Sequence, residues 1–195
     1  MGICVKFKSL LDLTISQLKY KMIMGKFGNR SRIISPMLIT NPQNIEIGNN
    51  VLIRNGIRLE VVEPTNSEPV ISIGNNVNIE QNVHIVANNC IIIGNNVSIT
   101  GGCSIIDIEH PYDDIDSEIK IGSRIAETKT KVVIGDDSFI GYGVHINPNI
   151  TIGKNCIIGA RAVVTKNIPD YCVVAGNPAK IIKKYNFEKK EWIRV

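Results

Sequence analysis

Aromatic residues are scarce in this chain of 195 residues, making up 5% of it with a single tryptophan. Few of them stand among the basic residues and no recognised binding motif is present, so nucleic acid is not an expected partner. No stretch is apolar enough for long enough to read as a membrane span. The segment from Met1 to Phe27 comes nearest, but Lys6, Lys8, Asp12, Lys19 and Lys21 interrupt its apolar residues and no signal-peptide cleavage pattern follows. It opens Met-Gly, yet Lys6 stands where a myristoylation signal wants Ser or Thr. The five cysteines, Cys4, Cys90, Cys103, Cys156 and Cys172, show no paired spacing, which fits a reduced, cytoplasmic setting. Neither a CxxC nor an HxxxH arrangement occurs, so no metal is expected.

What the chain does have is a strict period of six. From Ile134 it reads IGDDSF, IGYGVH, INPNIT, IGKNCI, IGARAV, with an aliphatic residue opening every six. The same frame runs earlier through Ile47, Ile53, Leu59, then Ile73, Ile79, Ile85, then Ile93, Ile99, Ile105. Neither the period of two of a strand nor the 3.6 of a helix explains this. A six reads instead as one short flat strand plus a corner, where Gly, Asn and Asp tolerate the positive φ that other residues resist. Three corners close a triangular turn, and stacked turns satisfy one another's backbone groups, which makes the domain an all-β solenoid. The fifth place of each six is mostly small or branched (Val51, Val77, Val97, Cys103, Cys156, Ala162), as a narrow bore requires. The frame is broken around Val62 to Ile71, near Ile91 and, at greatest length, over 111–133. Long insertions in solenoids lie outside the stack and carry function.

Charge is uneven. Residues 1–32 hold seven Lys or Arg against one Asp, a balance of +6 in a chain whose net charge is +4. This basic segment reads as an amphipathic helix that either packs on the solenoid or lies on anionic lipid, the latter giving weak peripheral membrane association at the inner face. The expected division is a helical segment over 1–32, the solenoid with its external loop over 33–184, and a short tail over 185–195.

The three histidines differ. His84 and His145 occupy the same place in the frame with one complete turn between them, roughly 10 Å apart at the spacing of neighbouring strands. One zinc ion with bonds of about 2.0 to 2.1 Å cannot bridge that. His110 ends the last regular six before the longest insertion and stands among Asp107, Glu109, Asp113 and Asp114. A carboxylate can hold the ring's proton on one nitrogen and leave the other free to deprotonate a nucleophile. The position alone also fits an ordinary histidine of a surface loop.

These sixes resemble the hexapeptide-repeat acyltransferases, whose fold is a left-handed parallel β-helix. Two stretches carry the likeness beyond the repeat. Residues 139–169, followed by Val174-Ala-Gly-Asn-Pro-Ala-Lys-Ile-Ile182, look like the acetyl-CoA-binding end of the maltose and galactoside acetyltransferase branch, and His110-Pro111 followed by Asp113 looks like its catalytic His-Pro motif. Phe139 stands where the branch often has Trp, and Arg161-Ala162 where it has Gly-Ser. Phe27-Gly-Asn-Arg-Ser-Arg-Ile-Ile-Ser-Pro looks more like members found in surface-polysaccharide synthesis.

The resemblance implies an O-acetyltransferase that moves an acetyl group from acetyl-CoA to a sugar or glycan hydroxyl, by direct transfer with His110 as general base and Asp107 or Glu109 orienting it. An N-acetyltransferase acting on an amino sugar and a non-catalytic binding or scaffold solenoid stay open beside it. The cofactor-binding residues it implies are Phe139, Tyr142, Gly159, Ala160, Thr165, Lys166, Lys180 and Lys183. It also implies a homotrimer with the ligand cleft between neighbours.

Overall fold

A computed structural model describes residues 3–64, 68 and 70–195, the side chains of residues 3–9 excepted. The Met-Gly start and part of the 62–71 interruption lie outside the described residues, as do the side chains of Cys4, Lys6 and Lys8. Strands of two to four residues wind into a three-faced parallel helix. The first face stacks Lys26–Phe27, Ile45–Ile47, Ile71–Ile73, Ile91–Ile93, Val132–Ile134 and Thr151–Ile152. The second stacks Arg32–Ile33, Leu52–Ile53, Asn78–Ile79, Ser98–Ile99, Phe139–Ile140, Ile157–Ile158 and Cys172–Ala175. The third stacks Leu38–Thr40, Arg58–Val61, His84–Ala87, Ser104–Ile106, His145–Ile146 and Val163–Val164. Taking one strand from each face gives six complete coils, numbered 1 to 6 in chain order.

The residue opening each six points into the bore: Ile53, Ile79, Ile99, Ile140 and Ile158 on the second face are all fully buried. Each stabilises the fold by about 1.5 to 3 kcal/mol over its exposed state. Between the first and second faces the chain turns through residues in the left-handed region: Asn50, Asn76, Asn96, Asp137 and Asn155, with φ between 53° and 58°. Asparagine and aspartate tolerate this conformation better than other side chains. The residue before each of the first four completes a ladder: the Asn49 N–H donates to Asn75 Oδ1, Asn75 N–H to Asn95 Oδ1, and Asn95 N–H to Asp136 Oδ1, at 2.6 to 2.9 Å. A polar residue at this place therefore serves the coil before its own.

The frame reaches further back than its sequence signal. The helix expected to extend through residue 32 ends at Ile23, and Lys26–Phe27 and Arg32–Ile33 already pair with coil 2. Phe27 and Ile33 take the bore positions of coil 1, while the small filler at its first corner is Ser31, whose hydroxyl donates to Gly48 O and accepts from Val51 N–H. A polar filler hid this coil from an apolar pattern.

Helix α1 (Ile3–Ile23) crosses the open end of coil 1. The Ser16 hydroxyl bonds both the N–H and the C=O of Ile33, and Gln17 donates to the carbonyls of Gly28 and Ser31. Tyr20 is buried against Phe27, ring centres 5.5 Å apart. The helix thus closes the bore and occupies part of the sheet edge it would leave bare. At the other end, Lys180–Asn186 turns back antiparallel on Cys172–Ala175 and continues into Glu191–Arg194, so residues 185–195 form part of a hairpin rather than a loose tail. Tyr171, Tyr185, Phe187 and Trp192 pack edge to face there.

Candidate active site

The long insertion starts where the third-face strand of coil 4 ends, at Asp107. This carboxylate is fully buried and accepts the backbone N–H groups of Asn88, Asn89 and Cys90, at the corner of the coil before it. Its own carbonyl receives the Thr130 hydroxyl, so the two ends of the insertion are clasped together. Burial pushes the Asp107 carboxyl above its ordinary value, against the pull of the three N–H donors. With both oxygens spoken for, Asp107 anchors the loop and does not orient His110. That is a correction to the role expected of it.

His110 is exposed, and its Nδ1 lies 2.7 Å from the carbonyl oxygen of Arg124. A carbonyl only accepts, so Nδ1 is the donor here, and in the neutral ring the lone pair falls on Nε2. The ring is therefore held by a backbone carbonyl, where an acidic side chain was expected. Glu109 contributes its main chain, the carbonyl taking the Ala126 N–H at 3.0 Å, while its side chain is exposed.

Arg124 is a positioning residue that the sequence did not reveal. Its guanidinium donates to the carbonyls of Ile119 and Asp114, both at 2.8 Å, and of Ser117 at 3.3 Å. Five fixed donors suit it to gather several carbonyls at once. A lone arginine in a segment with Asp113, Asp114, Asp116 and Glu118 reads as a partner for carboxylates. The loop instead uses it to fold its own backbone, which fixes the carbonyl that His110 meets.

The residues expected at the cofactor lie mainly elsewhere. Tyr142 stands at the corner between the second and third faces of coil 5, its ring over the preceding coil's glycines: a Cβ on Gly102 would come 3.5 Å from Tyr142 Cζ. Gly159 and Ala160 form the same corner of coil 6. Gly159 has a packing reason of its own, since a Cβ there would approach Ala175 Cβ at 3.1 Å. Among the described residues the N–H groups of Tyr142 and Ala160 meet no acceptor, and they lie one coil apart at this corner. Phe139 and Ile157 are neighbours on the outer side of the second face, 44% and 39% exposed, an apolar strip beside the donors. Lys180 and Lys183 project from the strand that closes this face. Thr165 and Lys166 follow the last third-face strand, so they share His110's edge of the prism, two coils further on.

Within one chain, then, the third face separates His110 from the corner of Tyr142, Gly159 and Ala160. His84, Ser104 and His145 stack in register across that face, with Ser104 between the histidines. The four described thiols, of Cys90, Cys103, Cys156 and Cys172, are free, and burial pushes all of them up, away from the thiolate a nucleophile needs. Among the described residues no group of His, Cys, Asp and Glu is arranged to hold a metal ion.

Three comparisons bear on this arrangement. The family description "Bacterial transferase hexapeptide (six repeats)" matches residues 131–166. An Escherichia coli K12 protein assigned by name to lipopolysaccharide biosynthesis as an O-acetyl transferase, WbbJ, is 32% identical over 98% of this chain and 94% of its own length. The crystal structure of a maltose O-acetyltransferase from Clostridium difficile 630 superposes with a TM-score of 0.57 at 31% identity, over 85% of this chain and 72% of that one. A complex of a mutant of AntD, an N-acyltransferase from Bacillus cereus, with dTDP and coenzyme A superposes at a TM-score of 0.71 over 89% and 90% of the two chains. Its identity of 20% makes that last likeness one of fold.

Proposed function

The chain belongs to the hexapeptide-repeat acyltransferases, which are left-handed parallel β-helices, and on that premise we propose that it is an acetyl-CoA-dependent O-acetyltransferase acting on a sugar or glycan hydroxyl in surface-polysaccharide synthesis. The observation that carries the reading is the 2.7 Å contact of His110 Nδ1 with the Arg124 carbonyl, which occupies Nδ1 and leaves Nε2 as the nitrogen available on an exposed ring beside the insertion.

Acetyl-CoA, when bound, supplies an acetyl group on a thiol that leaves readily. The residues fit it: the free N–H groups of Tyr142 and Ala160 suit the amide oxygens of a pantetheine arm, Phe139 and Ile157 its carbon chain, and Lys180 and Lys183 its phosphates. His110 Nε2 takes the proton from the attacking hydroxyl as the new ester bond forms, and returns it to the departing sulfur. Each proton is accounted for, and no covalent enzyme intermediate is needed. A free N–H beside the reacting carbonyl stabilises the negative charge that develops there.

This chemistry needs His110 and the corner at Ala160 together, and one chain holds them on opposite sides of its third face. We therefore assign the cleft to the space between neighbouring copies of a homotrimer, the edge of one facing the corner of the next. His110→Ala is expected to lower turnover by about 10² to 10⁴ with acetyl-CoA affinity unchanged. Transfer to a glycan acceptor by purified protein, alongside calorimetric titration with acetyl-CoA, tests both. Full turnover by the variant would remove His110 as the base, and failure of the wild type to bind acetyl-CoA would remove the enzyme reading.

A further inference from the structure

Helix α1 has two apolar sides, and the solenoid covers one. Ser16 and Tyr20 are buried against coil 1. Leu11, Ile15, Leu18 and Met22 are 49%, 51%, 67% and 84% exposed. Their spacing of four, three and four residues puts them in one stripe, within about 60° of arc at 100° per residue. A second apolar feature lies beyond Lys19. Ile23, Met37 and Leu38, all exposed, share with Lys19 a shallow hollow of about 240 Å³ between the helix and coil 1. Stripe and hollow are apolar surface that the fold does not require and does not bury.

Its surroundings are basic. On the same angular scale Lys19 and Lys21 flank the stripe on its two sides, and Lys26 and Arg30 are exposed just beyond. Asp12 is the sole acid in residues 1–32. A second copy of this chain docking stripe to stripe would press two such basic surfaces together. No described helix is long and apolar enough to cross a membrane. A surface with an apolar stripe edged by lysines suits the interface of an anionic bilayer, with the stripe among the acyl chains and the ammonium groups at the phosphates.

We propose that α1 docks the protein, end on, to an anionic membrane surface through Leu11, Ile15, Leu18 and Met22. His110 leaves coil 4, three coils from the docked end, which sets it roughly 14 Å further out at about 4.8 Å per coil. A glycan carried on a lipid reaches that height. Resting on the trimer proposed above, threefold symmetry about an axis along the prisms presents all three helices at one end, so weak single contacts add.

The test is cosedimentation of the full chain with phosphatidylglycerol-containing vesicles and with pure phosphatidylcholine vesicles, and transfer to a water-soluble glycan acceptor as a separate readout. We expect binding to the anionic vesicles alone, weakened by about 0.5 M salt. Leu18→Glu with Met22→Glu, and independently Lys19→Glu with Lys26→Glu, should each lower it at least about tenfold with transfer to the soluble acceptor unchanged. Absence of binding to anionic vesicles overturns the proposal. So does a wild-type particle mass twice that of the Leu18→Glu, Met22→Glu protein, which would assign the stripe to a second copy. Loss of soluble transfer by the wild type would instead fall on the proposed activity.

Discussion

The corner between the first and second faces and the lip at His110 both turn the chain away from a strand, by opposite means. The corner repeats: asparagines and an aspartate of successive coils hand one bond each to the coil before, and Asn75 and Asn95 each have a near copy on either side. The lip occurs once. Asp107 collects three N–H groups, Thr130 clasps the loop, Arg124 gathers three carbonyls, and the sum of these sets one carbonyl against one imidazole. Repetition distributes stability over many equivalent contacts, whereas the singular loop fixes the proposed base through a few. Substitutions in the two regions should therefore separate stability from turnover.

The largest effect is expected in the repeat. Ile79→Ala empties a fully buried position in the bore and should cost about 2 to 5 kcal/mol, read by denaturant unfolding, while turnover per folded molecule stays at the wild-type level. A fall in turnover at full occupancy of the fold would join the two regions that this account separates.

Asp107→Asn comes next. The amide keeps the shape but turns an NH₂ toward donors that an ionised carboxylate accepts, so about 1 to 3 kcal/mol of stability should go, with the loop loosened first. Limited proteolysis within 111–129 measures this. Resistance equal to the wild type would return Asp107 to the orienting role that the sequence suggests.

Arg124→Ala should be smaller again. It leaves His110 in place and slackens the carbonyl it meets, so kcat should fall about tenfold with KM for acetyl-CoA unmoved and the melting temperature nearly so. Arg124→Lys should not restore it, because one ammonium cannot span three carbonyls. Rescue by lysine would reduce Arg124 to a positive charge.

Sequence and structure agree where physics is periodic. The bore from Ile47 to Val164 was legible because only aliphatic side chains fit it and only a few residues turn its corners. Coil 1 was not, since Ser31 fills its corner with a hydrogen-bonding group. The capping role of α1 was one of two readings left open by its composition, and the cap is made by Ser16 and Gln17, polar residues no apolar pattern singles out. His110 was marked by its place before the insertion. Its partner was not, because a backbone carbonyl has no residue type, and the arginine that positions it lies 14 residues away in a segment without a period.

The central claim is that His110 of one copy works with the Ala160 corner of another, and subunit mixing tests it most directly. His110→Ala removes the base, and Ala160→Trp is expected to block the cofactor corner, so each alone should be inactive. Co-expressed and assembled at random, the two chains should recover about a quarter of wild-type turnover, the fraction of clefts that receive an intact histidine edge and an intact corner. Mixed trimers with no more activity than either parent would contradict the account and return the whole site to a single chain.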